Sequence, residues 1–560
     1  MEKPWLKHYP KNVNHEINSD EVTTINDLFK KSVSKFKENA AYESFDVEMS
    51  FGELDKLSND FASFLTYSLK LKKGDRLAIQ LPNIMQYPVA LFGAIKAGVI
   101  VVNTNPLYTE REMEHQFNDS GAKAIVILSN FAHKLDKIIQ NTPIENVVVT
   151  SVGDMLGFPK SVLINSVLKY VKKQVPAYNL PDAYTFHGAL NRGETRQLKT
   201  VSIDPEDTAF LQYTGGTTGV SKGAELTHKN IVSNMLQITE WISPVLKAGQ
   251  ETILTPLPLY HIFSLTVNCL GFLAFGGKNI LIANPRDIKG FIKLMKKKPF
   301  TLMTGVNTLY NALLNHSDFK SVDFSDLKLS VAGGMALQQD VATRWEAQTK
   351  TPLIEAYGLT ETSPGASANP IDGTGYIGTI GIPLPSTEIK LVDDDGNTAK
   401  DGERGEIYIK GPQVMKGYWN NPEETSSMLT SDGWVRTGDI AIITEHGYFK
   451  IIDRKKDMIL VSGFNVFPNE IEDVIASHPG VLEVAAIGVP SEGSGECVKI
   501  CVVKKDKNLT KEDLKAFAKK KLTGYKTPDI IEFFDELPKT NVGKILRRAL
   551  KEEHLKKLTK

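Results

Sequence analysis

A stretch rich in glycine and hydroxyl side chains lies near the middle of the chain. It reads YTGGTTGVSKG and runs from Tyr213 to Gly223. Its hydroxyls can donate hydrogen bonds to phosphate oxygens, its glycines let backbone N–H groups approach closely, and its lysine adds a positive charge. The hydroxyl residues, the glycines and the lysine are, in turn, Thr214, Thr217, Thr218 and Ser221, then Gly215, Gly216 and Gly219, then Lys222. The stretch therefore predicts a loop that binds phosphate.

This loop does not follow the common pattern in which Gly-Lys-Ser/Thr ends the loop and opens a helix. Here Gly223 follows the lysine, and the GAEL that begins there is typical of a short strand. A helix is predicted only after Thr227, which can cap the segment HKNIVSNMLQ. The loop is thus expected to join two strands. Taken alone, it could equally be a tight turn exposed to solvent.

Composition limits the classes of protein that this chain can belong to. Among its 560 residues, 41% are hydrophobic and 24% are charged, which is ordinary for a globular protein. The 66 basic residues balance the 66 acidic ones, so no nucleic-acid partner is expected. The longest charge-poor run, 252–277, has an apolar part too short to span a membrane and is expected to be buried core.

Three cysteines and a charged N-terminus without an apolar leader predict a reduced, cytoplasmic setting. Cys497 and Cys501 lie four residues apart in a predicted strand and so share one face. A metal pair is conceivable there, but packing as small apolar side chains is the expected arrangement.

The elements that must position the loop alternate between helix and strand. Apolar runs such as RLAIQL, AIVIL and NVVVT alternate with helical patterns from residue 26 to about 201, and the alternation continues to about 334. This pattern predicts a layered α/β architecture. After Gly375, short alternating runs such as GEIYIKG and GYFKIID predict a smaller β-rich unit.

The charged strip DRKKDMI, which begins at Asp453, predicts a domain boundary. The expected fold is α/β: a large N-terminal layered α/β domain with a β-rich subdomain over 1–453, a hinge over 454–458, and a small mobile C-terminal α+β domain over 459–560. In the last domain, Thr510 and Asp513 have the spacing of a helix-capping box.

Five further motifs follow the loop in a fixed order. They are AGGM at Ala332, YGLTET at Tyr357, WVRTGDI at Trp434, DRKKDMILVSGFNVFPNEIE at Asp453 and LPKTNVGKILRR at Leu537. Together with the loop, this set resembles the adenylate-forming superfamily of acyl-CoA synthetases, luciferases and peptide-synthetase adenylation domains, over roughly 25–550. The stretch from DGWVRTGDI to FPNEIE looks like the fatty-acyl-CoA synthetase signature and is most similar to that of bacterial long-chain fatty-acid–CoA ligases.

The resemblance implies ATP-dependent ligation of a long-chain fatty acid to coenzyme A. A carboxylate is a poor electrophile, so it first attacks the α-phosphate of ATP to give an acyl-adenylate and pyrophosphate. The thiol of coenzyme A then displaces AMP. The expected partners are the fatty acid, ATP with Mg²⁺, and coenzyme A.

The resemblance also assigns roles to individual residues. Lys544 would stabilise the charge shared between carboxylate and α-phosphate. The loop from Tyr213 to Gly223 would grip the β- and γ-phosphates, and Glu361 with Thr214 would hold Mg²⁺. The remaining nucleotide contacts implied are Tyr357 for adenine, Gly333 and Gly334 along the base, Gly358 and Thr360 in the same motif as Tyr357, Asp439 for the ribose, and Arg454 for the ribose or α-phosphate.

Four positions concern the acyl group and the second half-reaction. Acetate-specialised relatives carry tryptophan where this chain has Gly358, so an open acyl pocket is expected. His261 resembles the acyl-pocket motif, although a lone histidine among apolar residues is more often part of a core. Relatives rotate the C-terminal domain about the residue matching Lys456, and Gly463 would then leave room for the pantetheine arm of coenzyme A.

Several alternatives stay open at this stage. An aryl- or medium-chain acyl-CoA ligase is one, and a luciferase-like oxidase that uses the same adenylate is another. A fatty-acid-binding protein that has lost catalysis is a third, against which the complete set of polar residues argues. Chain-length preference and the number of chains are undetermined, and a homodimer is compatible with the sequence.

The segment 158–176 has the pattern of a basic amphipathic helix. Its apolar positions share one helical face, and Lys169, Lys172 and Lys173 lie off that face. The apolar positions are Ile164, Val167, Leu168, Val171 and Val175. Such a helix fits peripheral contact with an anionic membrane on the inner face of the cell membrane, or equally a helix packed on its own domain.

Overall fold

The computed structural model describes residues 3–214, 221–400, 402–462, 464–491, 495–540 and 542–558. Within these ranges, the strands form two large mixed sheets, a small antiparallel sheet and a C-terminal sheet. This arrangement confirms the expected α/β fold with a β-rich subdomain and a smaller C-terminal α+β domain.

The first large sheet is parallel at its centre and antiparallel at one edge. Strands such as Ala124–Leu128 are buried at every position, because helices cover both faces of a parallel sheet. In spatial order, its described strands are Gly417–Tyr418, Lys222–Thr227, Thr208–Thr214, Ile100–Asn103, Arg76–Gln80, Ala124–Leu128, Asn146–Thr150 and Tyr184–Thr185.

The second large sheet has a parallel centre with an antiparallel strand pair at each end. In spatial order, its described strands are Ile382–Pro383, Gly365–Ala368, Leu353–Gly358, Leu329–Ala332, Leu302–Gly305, Thr252–Thr255, Lys278–Leu281, Ala40–Ser44 and Val47–Ser50.

Two smaller sheets complete the framework. The β-rich subdomain is antiparallel, in the order Glu388–Val392, Gly405–Lys410, Val435–Ile443 and Phe449–Arg454. The C-terminal sheet has the order Phe464–Val466, Ile459–Val461, Gly495–Lys504 and Val481–Ser491, with Ile530–Phe534 parallel to Gly495–Lys504.

Helices connect and cover the sheets. The helix that follows the loop begins after Thr227, whose side chain accepts from the Asn230 backbone N–H, and Thr510 with Asp513 forms the expected capping box. The described α-helices are Ile25–Phe36, Phe51–Ser63, Gln86–Lys96, Glu110–Ser120, Ala132–Ile138, Lys160–Ser166, Phe186–Glu194, His228–Ile242, Ile262–Ser264, Phe272–Phe275, Ile288–Lys297, Asn307–Leu314, Gln339–Thr349, Pro422–Met428, Pro468–Ala476, Lys511–Lys521 and Arg547–Leu558.

Burial agrees with the sequence in two places. The run 252–277 forms a strand and helical turns that are almost entirely buried, as expected for core. Cys497 and Cys501 are buried free thiols on one strand. In the part of the chain that the structure describes, no helix combines the length and apolar character needed to cross a bilayer.

The segment 158–176 differs from its expected form. An α-helix covers Lys160–Ser166 and a wider π-type turn covers Val167–Val171, after which Lys173 takes a left-handed φ of 52°. The helix therefore ends before Val175, which is not on it. Of its most exposed apolar side chains only Val171 belongs to the expected face; they are Phe158, Val162, Leu163, Tyr170 and Val171, from 57% exposed at Val162 to 89% at Phe158.

Candidate active site

One cavity of about 1000 Å³ collects the carboxyl ends of strands from both large sheets. Thr214 ends a strand of the first sheet and Gly358 ends a strand of the second, and both line it. Arg436 from the β-rich subdomain and Lys544 from the C-terminal domain also line it. Crevices at the carboxyl ends of strands are where α/β sheets bind ligands.

The motif predicted to bind phosphate lies between two paired strands, as the sequence predicted. Thr208–Thr214 pairs antiparallel with Lys222–Thr227, which places Thr214 opposite Lys222. Tyr213 donates from its hydroxyl to Asp119 Oδ2 at 2.5 Å, and Lys222 pairs with Glu424. Gly215, Gly216, Thr217, Thr218 and Gly219 lie outside the described residues.

Two residues of the loop motif lie beside the cavity rather than in its lining. The backbone oxygen of Ser221 lies 2.9 Å from His115 Nε2. A Cβ at Gly223 would come within 3.1 Å of the Tyr213 ring, so the glycine lets this ring pack against the neighbouring strand. Both positions therefore support the loop from its base.

Glu361 is a buried carboxylate that lines the same cavity as Thr214. Its Oε1 accepts a hydrogen bond from the Tyr418 hydroxyl at 2.5 Å, which fixes the side chain. Thr214, Thr360 and Glu361 all line the cavity, and their hard oxygens suit Mg²⁺. Among the described residues there is no cluster of three or more His, Cys, Asp or Glu side chains able to hold a metal ion.

Three of the residues predicted to bind the nucleoside form a connected chain of polar side chains. The Tyr357 hydroxyl donates to Asp439 Oδ2 at 2.6 Å, and Arg454 Nε lies 3.2 Å from Asp439 Oδ1. Asp439 and Arg454 face each other across neighbouring antiparallel strands. Burial, together with the Asp439 carboxylate, raises the pKa of Tyr357, so its hydroxyl stays protonated and donates. Tyr357 and Arg454 line the cavity, and Asp439 lies directly behind them.

Three glycines near these residues occupy positions where a side chain would meet neighbouring atoms or strain the backbone. A Cβ at Gly333 would lie 3.1 Å from the Phe263 ring, and Gly334 has a φ of 79°. A Cβ at Gly358 would lie 1.8 Å from the Pro364 carbonyl oxygen. Glycine at 358 is thus required by the adjacent backbone, and the open acyl pocket at this position stays a prediction.

Lys544 is held at the cavity by a short turn that touches the N-terminal part. The turn closes through Thr540 N–H to Lys544 O at 2.7 Å, and the Thr308 hydroxyl donates to Gly543 O at 3.0 Å. Burial and the nearby Arg454 charge lower the pKa of Lys544 to about 8. The lysine is therefore a buried cation that an incoming anion would stabilise.

His261 lies close enough to feel this charge. Burial and the Lys544 cation lower its pKa to about 4, so His261 is neutral at pH 7. Its Nδ1 accepts from the Phe263 backbone N–H at 3.3 Å. The residue lines the cavity, as the acyl-pocket motif implied, and its role towards the acyl group stays a prediction.

A large part of the cavity lining is apolar. Its apolar lining includes Ile238, Trp241, Ile242, Leu257, Phe263, Val267, Leu302, Val306, Leu329, Val331, Ile354, Ala368, Ile371 and Leu384. The first three come from one face of the helix His228–Ile242. Their spacing indicates an apolar face, but not that this face borders a cavity.

The boundary strip forms a turn between two strands. The strand Phe449–Arg454 ends where the turn begins, and Ile459–Val461 follows it. Lys456 is exposed in this turn and reaches the cavity lining. Gly463 lies outside the described residues.

Arg547 lies three residues after Lys544 and is not among the predicted site residues. The structure shows it mostly buried, 2.8 Å from Glu472, 3.0 Å from Asp457 and 3.3 Å from Asp453. It therefore ties the end of the N-terminal domain, the turn and the C-terminal domain together. The neighbouring Arg548 is exposed.

Comparison with known proteins identifies the family of this chain. Residues 29–419 match the family described as AMP-binding enzyme, and residues 470–544 match the AMP-binding enzyme C-terminal domain. The chain belongs to the AMP-binding enzyme family, which confirms the resemblance seen in its motifs.

Two relatives and one solved structure match this chain over nearly its whole length. The long-chain-fatty-acid–CoA ligase of Escherichia coli O157:H7 is 55% identical over 553 residues, covering 99% of this chain and 98% of the relative. The enzyme of the same name from Haemophilus influenzae is 54% identical over 563 residues, covering all of both chains. An anthranilate CoA ligase solved in complex with anthranoyl-AMP superposes with a TM-score of 0.86 at 25% identity, covering 96% of this chain and 98% of that one.

Proposed function

We propose that the protein ligates a long-chain fatty acid to coenzyme A through an acyl-adenylate, consuming ATP and releasing AMP and pyrophosphate. One observation carries the proposal: a single cavity is lined by Thr214, Lys222 and Lys544 together with a large set of apolar side chains. The full-length relatives of the same name support it.

In the first half-reaction the fatty carboxylate attacks the α-phosphate of ATP. Lys544 stabilises the negative charge that the two groups share, and Lys222 with Thr214 faces the outer phosphates. Mg²⁺, held through Glu361, would neutralise phosphate charge when bound. Arg454 holds the Asp439 carboxylate so that it can accept the ribose hydroxyls. The acyl chain lies in the apolar lining, away from water.

In the second half-reaction the thiol must reach the carbon that Lys544 faced before. We infer that the C-terminal domain, 459–560, turns about Lys456 within the hinge 454–458 and carries Lys544 away. An exposed lysine suits a hinge because it can stay hydrated in both positions. Gly463 would then border the channel of the pantetheine arm, where the lack of a side chain leaves room.

Acyl-CoA formation across saturated acids tests the function. We expect AMP release that depends on both acid and coenzyme A, with a clear preference for long chains between acetate and stearate. A maximum at acetate or benzoate would refute the long-chain assignment. AMP release without coenzyme A but with oxygen consumption would favour an oxidase.

We also propose that the segment 158–176 lies on an anionic membrane surface. Its most exposed apolar side chains stand beside three exposed lysines, Lys169, Lys172 and Lys173. Apolar side chains that enter the headgroup region and lysines that contact anionic lipids are the two contributions that such binding needs. Of these apolar residues, only Val171 belongs to the face that the sequence indicated.

Vesicle co-sedimentation tests the membrane proposal. Changing the three lysines to Glu should weaken binding to vesicles that contain anionic lipid and leave activity on detergent-dispersed acid intact. The matched control changes another run of exposed lysines, 519–521, to Glu and should bind as the native protein does. Equal binding by both variants would contradict the proposal. The homodimer stays a prediction, which sedimentation of the purified protein tests.

A further inference from the structure

The N-terminal segment covers one side of the apolar lining. Trp241 borders the cavity, and behind it the Tyr9 ring meets Trp241 edge-on, with 5.2 Å between centroids and 89° between planes. Trp5 and Val13 belong to the same buried cluster as Trp241. We call residues 4–17 the N-terminal strap.

The strap is fixed where it crosses the helix. The Tyr9 hydroxyl donates to the Pro383 backbone oxygen at 2.6 Å. Asn14 donates from its backbone N–H and its side-chain amide to Glu240 Oε1, at 2.8 and 2.9 Å. Glu240 is the chain neighbour of Trp241, so these bonds hold the strap directly over this part of the helix.

Trp241 itself cannot turn freely. Its Nε1–H donates to the Asn369 backbone oxygen at 3.1 Å, its side chain is 2% exposed, and Tyr9 blocks its outer side. Tyr9 is only half-buried, so solvent lies beyond it. The order from cavity to solvent is therefore Trp241, then Tyr9, then water.

We propose that Trp241, backed by Tyr9 of the strap, is the wall that ends the acyl pocket and sets the longest chain the enzyme accepts. The proposal rests on the proposed function, since only a long acyl chain would reach this wall. A chain that is too long would have to displace a close-packed indole, whereas a smaller side chain at 241 would leave room for further methylenes.

The test measures kcat/KM for a series of saturated acids from laurate to behenate. In Trp241→Ala, the ratio of kcat/KM for behenate to that for palmitate should rise about tenfold or more, because each added methylene finds apolar space. Tyr9→Ala should move the ratio in the same direction by a smaller factor. Tyr67→Ala is the matched control: Tyr67 is half-buried, bonds to a backbone oxygen at 3.0 Å and lies outside the cavity lining.

Three outcomes separate the possibilities. An unchanged ratio of kcat/KM for behenate to that for palmitate, in variants with native melting temperatures, overturns the proposal that Trp241 limits chain length. If Trp241→Ala does not fold, Trp241→Leu and Tyr9→Ala decide in the same way. A native enzyme that uses no long acid overturns the proposed function and this inference together, whereas a native long-chain enzyme with an unmoved ratio overturns this inference alone.

Discussion

Replacing Lys544 by alanine should separate the two half-reactions. In the structure, burial and Arg454 lower the pKa of Lys544 from its ordinary 10.5 to about 8. A depression of that size corresponds to roughly 3 kcal/mol by which the ligand-free site disfavours the charge. The carboxylate and α-phosphate would restore that energy in the transition state, so the loss of the lysine should slow adenylation about 10²–10³-fold.

Two assays isolate the halves. Fatty-acid-dependent exchange between ATP and pyrophosphate reports adenylation, and conversion of a supplied acyl-adenylate by coenzyme A reports thiolation. We expect Lys544→Ala to lose the first and largely keep the second. Lys551→Ala is the control, since Lys551 is a half-buried lysine of the same domain that pairs with Glu496 at 2.8 Å and lies outside the cavity lining. Equal loss of both halves in a protein with a native melting temperature would refute the role given to Lys544.

Four further changes have defined outcomes. The kcat/KM of adenylation by the native enzyme, which reports the ligand-free site, should decline as pH rises through about 8, because Lys544 then loses its proton; a kcat/KM that stays constant from pH 7 to 10 would contradict this. Tyr418→Phe should raise the Mg²⁺ concentration needed for half-maximal exchange, since Glu361 loses the hydrogen bond that fixes its orientation. An unchanged Mg²⁺ requirement would show that Tyr418 does not orient Glu361 for the metal. Arg547→Met should lower the free energy of unfolding by about 3–5 kcal/mol, because it leaves the buried Asp453 carboxylate without its cation; chemical denaturation measures this loss, and a loss under 1 kcal/mol would contradict a stabilising role for the ion pair. Gly463→Leu should keep exchange and stop acyl-CoA formation, whereas loss of exchange at a native melting temperature would place this residue in adenylation.

Local sequence signals were reliable wherever neighbouring residues decide the structure. The strand after the loop, the cap at Thr227 and the capping box at Thr510 all follow from side chains within three or four positions of each other. Buried runs such as Ala124–Leu128 were also recognisable, because a strand covered on both faces needs apolar residues throughout.

Contacts between distant parts of the chain were beyond such signals. Tyr418 lies 57 positions from Glu361, and Arg547 lies 94 positions from Asp453, so no local pattern pairs them. The segment 158–176 shows a related limit. Periodicity tells which residues share a helical face, but the packing of the domain decides which face meets solvent, and the left-handed residue Lys173 ended the helix early.

The position of Arg547 has a consequence for the timing of the cycle. It is bound to Asp453 before the turn, and to Asp457 and Glu472 on the other side of Lys456. Under the proposed rotation, the bond to Asp453 breaks while the other two travel with the arginine. The guanidinium therefore keeps a carboxylate partner throughout the rotation. The ion pair with Asp453 forms in only one of the two positions and stabilises that position. Strengthening or weakening that pair would tune how long the enzyme dwells in each half of its reaction, without altering any group that touches the substrates.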